Sequence, residues 1–249
     1  MLNIFKLDMY RILRSKMFYI CIITMNLVSG TMIFFGVIPS FSAVMGSGAT
    51  DMTGSMMGIG MAFMIIGIFF ALFICGEFTT GFAKNIFARH SNPIRYIVGK
   101  LLSLTVTGAV FIIVFSLVAM LLLVVTGSGV VLPGGVLGLI TFFIEKIFVC
   151  AAFASLILLA CVFTRKSAVG VVVGVIAAMG VLPMVLGIAG NYFGLTWISD
   201  ILQYTISGLS STANLVFSGS AFATVIIGGL IWTAVCTVLG CRAAKLKDI

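Results

Sequence analysis

Between Met17 and Cys75 the chain carries a single charged residue, Asp51. Within that stretch, Met17 to Ile38 is an apolar run of 22 residues. As a helix rising about 1.5 Å per residue it is roughly 33 Å long, enough to cross a hydrocarbon core of about 30 Å. Further apolar runs occupy Met56 to Cys75, Leu101 to Val125, a stretch ending at Phe163, Ala168 to Gly187, and Ala221 to Leu239. They are continuous and do not alternate with period two, which suits spanning helices better than a barrel. With 62% hydrophobic and 8% charged residues in 249, against about a quarter charged in a soluble domain, essentially the whole chain is membrane domain. The expected architecture is all-α and polytopic: one transmembrane domain over residues 1–249 with six transmembrane helices.

The fourth span is the least regular. Apolar character persists from Val130 to Phe163, too long for one crossing, and Glu145 and Lys146 interrupt it. The expected division is a short interfacial or re-entrant piece at Val136 to Ile144, followed by a span from about Glu145 to Phe163. Consecutive helical residues do not face each other, so Glu145 and Lys146 are not a simple pair. An ionisable residue at a helix centre costs about 2.5 to 3.5 kcal/mol on insertion scales, so the outer membrane boundary is the preferred place for both. A buried substrate or proton site is the alternative.

Basic residues set the orientation. Lys6, Arg11, Arg14, Lys16, Lys84, Arg89, Arg95, Lys100, Arg165, Lys166, Arg242, Lys245 and Lys247 all fall on one side of a six-span arrangement, and only Lys146 does not. Lys and Arg remain on the cytoplasmic side, so both termini are expected there, in a multi-pass protein of the plasma membrane. The formal charge of +8 thus follows from topology and requires no nucleic acid partner. The first apolar run is too long for the 7 to 15 residues of a signal peptide and reads as a retained span. Cys21, Cys75, Cys150, Cys161, Cys236 and Cys241 lie in or beside spans without a CxxC pair; they read as small buried hydrophobes.

Residues 1–16 place Leu2, Phe5, Met9, Ile12 and Leu13 on one stripe, with Lys6, Arg11 and Arg14 largely away from it. This is the pattern of an amphipathic helix on the cytoplasmic interface, either as an orienting anchor or as a contact for a cytosolic partner. Residues 190–220 are too apolar for a solvated loop and too interrupted for a span, with Asp200, Gln203, Gly208 and Asn214 among them. Two short helices dipping into the outer leaflet would fit, as a re-entrant segment before the last span and a wall of the exit path; a plain interfacial helix is the other reading. Glycines four apart (Gly54 with Gly58, Gly134 with Gly138, Gly170 with Gly174) allow close helix contact.

The segment "GEFTTGFAKNIFARHSNPIRYIVGK", Gly76 to Lys100, concentrates charge in a chain that otherwise avoids it. Thr80 can cap a helix, Phe82 and Ile86 share a face, Lys84 and Arg89 point elsewhere, and Pro93 ends the turn. A helix of about ten residues here would lie across a surface outside the bilayer; a positively charged connector that only sets topology is the alternative. The series Glu77, Gly81, Lys84, Ile86, Phe87, Pro93, Arg95, Gly99 and Lys100, with six spans and an amphipathic N-terminal helix, resembles the permease subunits of type-2 ABC transporters. The resemblance implies that residues 77–97 contain a coupling helix docking on an ATP-binding subunit, with Glu77, Gly81, Phe82, Lys84, Ile86, Phe87 and Arg89 as coupling residues. It implies two copies of a cytosolic ATPase, a homodimer of the permease or a heterodimer with a related one, and a bacterial host. Small permeases in that family often export toxin or antimicrobial peptides, including phenol-soluble-modulin-type peptides, or confer immunity to lantibiotics and bacitracin-like compounds; small drugs, sodium or a lipid-linked glycan stay open as cargo.

The chain has no GxxxxGK[ST] phosphate loop, no HExxH and one histidine, His90. It is therefore expected to be no enzyme and to hold no cofactor or metal of its own, with ATP and Mg on the partner ATPase. Twenty-two Phe and fourteen Met suit an amphipathic or hydrophobic cargo. Glu145, Lys146, Asp200 and Gln203 are the candidates for a translocation path. An ion-coupled carrier or channel, with Glu145 and Lys146 buried, is the second functional reading, and a noncatalytic membrane scaffold a third.

Overall fold

A computed structural model describes residues 2–37, 60–79, 93–125, 134–193, 201–213, 215 and 217–246. All regular structure among them is helical: α1 (Leu2–Arg14), α2 (Lys16–Val37), α3 (Gly60–Thr79), α4 (Pro93–Val125), α5 (Gly135–Thr164), α6 (Ser167–Met179), α7 (Val181–Phe193), α8 (Ile206–Thr212) and α9 (Gly219–Leu246). Three helical stretches are long and apolar enough to cross a bilayer: residues 96–125, 135–164 and 219–244. A fourth crossing is complete if α6 and the part of α7 up to Gly190, bent by 51°, count as one span.

α5 is the central element. It packs on α3, α4, α6, α8 and α9, and its largest interface is with α9. The expected break before Glu145 is absent: α5 runs unbroken for 30 residues, and Val136 to Ile144 form its first turns. The backbone has no reason to break there, because the charged side chains are accommodated sideways within the bundle. The helix ends at Arg165, whose φ of 56° makes a left-handed cap with its N–H on the Cys161 carbonyl.

The fifth apolar run, by contrast, is two helices. Gly180 takes φ 64° and closes α6 with its N–H on the Ile176 carbonyl. Three residues later Pro183 lacks the N–H that a continuous helix would direct at Met179, and its ring would press on that carbonyl. The chain bends at a place where both residue types favour it.

Glycines set the closest approaches. A Cβ on Gly108 of α4 would lie 2.1 Å from Cys150 Sγ of α5, and a Cβ on Gly67 of α3 would meet Phe153 at 2.9 Å and the Gly174 backbone of α6 at 3.5 Å. The Gly170 and Gly174 pair is thus spent on the α3 contact inside this chain. Around these contacts lie Phe69, Phe70, Phe111, Phe142 and Phe153, all buried. Phe18 of α2 is edge-on to Phe69 and Phe111 at 6.0 and 5.2 Å, which ties α2 to α3 and α4.

α4 begins eight residues before the apolar run that predicts it and spans 33 residues, roughly 50 Å. Pro93 suits the first helical position because its missing N–H would be unpaired there anyway. α4 therefore projects beyond a hydrocarbon core of about 30 Å, and its first two turns carry Tyr96 and Lys100 into the packing below.

α1 packs against α4 and, more lightly, α2. Its inward face differs from the expected stripe: Asp8 and Ile12 are each 1% exposed, Leu13 is 52% exposed, and Arg11 turns inward to an acidic partner. The reason is electrostatic, since a cation waits on α4 opposite Asp8.

Candidate functional site

The ends of α3 and α4 meet α1 around one carboxylate. Glu77 stands in the last turn of α3, where the negative helix end disfavours an acid, and it is fully buried. Three donors hold it there: Arg11 Nη1 to Oε1 at 2.6 Å, Lys100 Nζ to Oε1 at 2.6 Å, and the Tyr96 hydroxyl to Oε2 at 2.8 Å. Tyr96 and Lys100 are four apart and so reach it from one face of α4.

Lys100 is itself fully buried and answers a second acid. Its Nζ lies 3.4 Å from Asp8 Oδ2 and 4.0 Å from the centre of the Phe73 ring, a cation–π contact that fills the remaining side of the ammonium. Ser103 Oγ lies 3.2 Å from Asp8 Oδ2 and 2.8 Å from the Lys100 carbonyl, so its single proton is shared between them. Asp8 and Glu77 balance Arg11 and Lys100. Burial pushes the Asp8 carboxyl above its ordinary range, Lys100 opposes that shift, and Glu77 adds to it.

Chemically this is a clamp. Among the described residues no group of three His, Cys, Asp or Glu side chains could hold a metal ion, and the acids are occupied by cations. Breaking such a buried pair on one side costs about 3 to 5 kcal/mol, so α1, the end of α3 and the start of α4 are held as one unit. The segment 80–92 is strung between Glu77 and Tyr96.

Of the predicted coupling residues, Glu77 is thus at the centre of the clamp. Gly81, Phe82, Lys84, Ile86, Phe87 and Arg89, with His90, lie outside the described residues. Sequence reasoning did not single out Asp8 or Tyr96, and it treated Arg11 as topological. The available signals were the lone acid of α1, four residues from the buried Ile12, and the Tyr96 and Lys100 spacing.

The second charged locus is inside the bundle. Glu145 and Lys146 are 4% and 0% exposed, so both side chains are packed inside the bundle. Lys146 Nζ donates to the Ser210 carbonyl at 2.7 Å and lies 3.3 Å from Ser210 Oγ. Phe142 lies beneath it, its ring centre 5.1 Å from Nζ. The carbonyl belongs to the last turn of α8, where unpaired carbonyls favour a cation. Glu145 Oε2 has no hydrogen-bond partner among the described residues.

Beside Ser210 is a cavity of about 90 Å³, lined by Phe63, Val149 and Phe153 on one wall and Ser207, Ser210 and Ser211 on the other. The turn before α8 is tied to α9 by Trp232 Nε1 on the Tyr204 carbonyl at 2.8 Å. Gln203 is exposed in that turn, and Asp200 lies outside the described residues. The structure joins Lys146 to α8 and does not bring Gln203 to it.

The family model for ABC-2 family transporter proteins matches residues 4–181. The chain belongs to the ABC-2 transporter family. The match runs from α1 to the first residue of α7, so it contains the clamp, Glu145 and Lys146. ABC-2 membership makes this a membrane protein of the permease type, and ABC-2 permeases generally work with a cytosolic ATPase subunit. A comparison with characterised proteins finds no match.

Proposed function

We propose that this ABC-2 chain is the permease subunit of an exporter that moves an amphipathic or hydrophobic cargo, a toxin or antimicrobial peptide, out of a bacterial cell. Two copies form the transmembrane unit, each with six spans and cytoplasmic termini, and each engages a cytosolic ATPase that holds ATP and Mg. α2 and α3 supply the spans beyond those complete by length and composition. Residues 80–92 carry the coupling helix, with Phe82 and Ile86 against the ATPase and Lys84 and Arg89 on the other face.

The observation that carries this reading is the Glu77 clamp at the root of that segment. A connector that only sets topology needs cations, and nothing in that role calls for a buried acid binding both its ends. A segment that transmits force needs a stiff root, so that movement at Phe82 and Ile86 reaches α1, α3 and α4 together.

The test is co-purification of an ATPase with the chain from its native membrane, with and without Phe82→Asp and Ile86→Asp. Capture that both substitutions abolish, with the permease still folded, is the expected result. Capture unaffected by them, or no ATPase at all, would overturn it.

Glu145 favours a second reading, an ion-coupled carrier, because a buried carboxylate with one oxygen unpartnered among the described residues can take up a proton or cation. Ion flux by the chain reconstituted alone, abolished by Glu145→Gln, would select that reading over the first.

A further inference from the structure

Cys75 of α3 and Cys161 of α5 meet across the contact between their helices. Both are fully buried free thiols, and their side chains share a hydrogen bond. The backbone geometry agrees. A Cβ on Gly170 of α6 would lie 2.5 Å from Cys161 Sγ and 3.1 Å from the Ala71 Cβ of α3, so the sulfur points from α5 toward α3 at that level. Cys75 follows Ala71 by one helical turn on the same face. The pair is hidden in the sequence because α4 and most of α5 lie between the two residues.

Cys75 stands just before Glu77 in α3, so the thiols sit beside the clamp. The clamp ties the end of α3 to α1 and α4 by ionic contacts, whereas α3 meets α5 through packing such as Gly67 on Phe153. A covalent bond between Cys75 and Cys161 would close a loop that contains residues 80–92 and all of α4. It would also fix the clamp to the central helix.

We propose that Cys75 and Cys161 are a redox pair whose oxidation to a disulfide locks the clamp onto α5. The oxidant is a lipid-soluble small-molecule disulfide, because burial shields the thiols from water-borne reagents. One protein thiol loses its proton and its sulfur attacks the reagent, whose first half leaves as a thiol carrying that proton. The second protein sulfur then displaces the other half in the same way. Two protein S–H bonds and the reagent's S–S bond break, the Cys75–Cys161 bond and two small-molecule S–H bonds form, and the reagent takes both electrons. A reducing thiol reverses each step. Reduced, α3 can shift against α5 and carry the clamp with it; oxidised, α1, α3, α4 and α5 move as one body. The lock needs no ATPase, so it stands apart from the transport reading.

The test uses the full chain in neutral detergent, treated with dithiodipyridine. Released thiopyridone is counted by absorbance, and the product is mapped by non-reducing peptide mass spectrometry. In a background carrying Cys21→Ala, Cys150→Ala, Cys236→Ala and Cys241→Ala, two thiopyridones per chain are expected, with one Cys75–Cys161 peptide pair and a mass lower by two hydrogens. Cys75→Ser or Cys161→Ser should release one and keep the other half as a mixed disulfide. The oxidised protein should show a higher unfolding midpoint and slower hydrogen exchange over 70–79, both restored by dithiothreitol. The same peptide map of the wild-type chain makes the result independent of the four background substitutions.

Mixed disulfides that persist on both cysteines would overturn the proposal, since thiols in contact close faster than a second reagent molecule arrives. So would thiols that react only after unfolding, bonds formed only between chains, or an oxidised protein whose exchange over 70–79 is unchanged.

Discussion

Lys100 Nζ lies 2.6 Å from Glu77 Oε1 with both side chains fully buried, so the first full turns of α4 are fastened to the end of α3 by an ion pair shielded from water. The two residues are separated by the segment proposed to meet the ATPase. Stability and coupling therefore depend on the same contact.

Removing one partner leaves a buried charge uncompensated. Glu77→Gln is expected to cost about 3 to 5 kcal/mol, and Lys100→Met should be comparably damaging because it strands Asp8 and leaves Glu77 only Arg11 and Tyr96. The double variant should lose less than the sum of the two, by about 1 to 3 kcal/mol. Unfolding midpoints of the four proteins in one detergent measure this; strict additivity would mean that the pair contributes nothing.

Asp8 is expected to give a pH dependence of known sign. Burial raises its carboxyl above the ordinary 3.8, so between that value and the raised one the folded protein binds more protons than the unfolded chain. By linkage, stability falls as pH rises through that window. Asp8→Asn removes this term. Comparing midpoints between about pH 4 and pH 7, the wild type should lose stability relative to the variant. Parallel curves would show that burial does not raise the Asp8 carboxyl.

Lys146 should control the order of α8. Its main acceptor is a backbone carbonyl, which no side-chain change at Ser210 removes. Ser210→Ala should cost less than about 1 kcal/mol and leave hydrogen exchange over 206–212 unchanged. Lys146→Met should speed exchange in that segment. Similar exchange in both variants would mean that the cation does not hold α8.

Gly108 tests the packing of α4 on α5. A methyl group there would sit 2.1 Å from Cys150 Sγ, so Gly108→Ala should destabilise by about 1 to 3 kcal/mol. Cys150→Ala in the same chain should restore much of that, because Cys150 Cβ is 3.8 Å away and Phe70 is the other close neighbour at 3.1 Å. Absence of rescue would place the strain at Phe70.

The sequence by itself determined that the chain is helical and lives in a membrane. Hydrocarbon leaves the backbone no partner but itself, so apolar runs of about 20 residues have one outcome wherever they occur. The bend at Gly180 was not read from the sequence, although its signal is local: a left-handed cap at Gly180 and the missing N–H of Pro183 are properties of single residues. Other features were invisible for a common reason: a charge inside an apolar run reads as a boundary until its partner is known. Glu145 and Lys146 looked like the edge of a span, yet α5 continues through them because Ser210, 64 residues later, reaches Lys146. Asp8 did not stand out on an interfacial helix, yet Lys100 of α4 turns it inward. Helix propensity and hydropathy act over a few neighbours, whereas desolvating a charge is tolerated only when packing brings an opposite charge or a carbonyl to it. Tertiary structure alone decided which charges are buried, and so where the clamp lies.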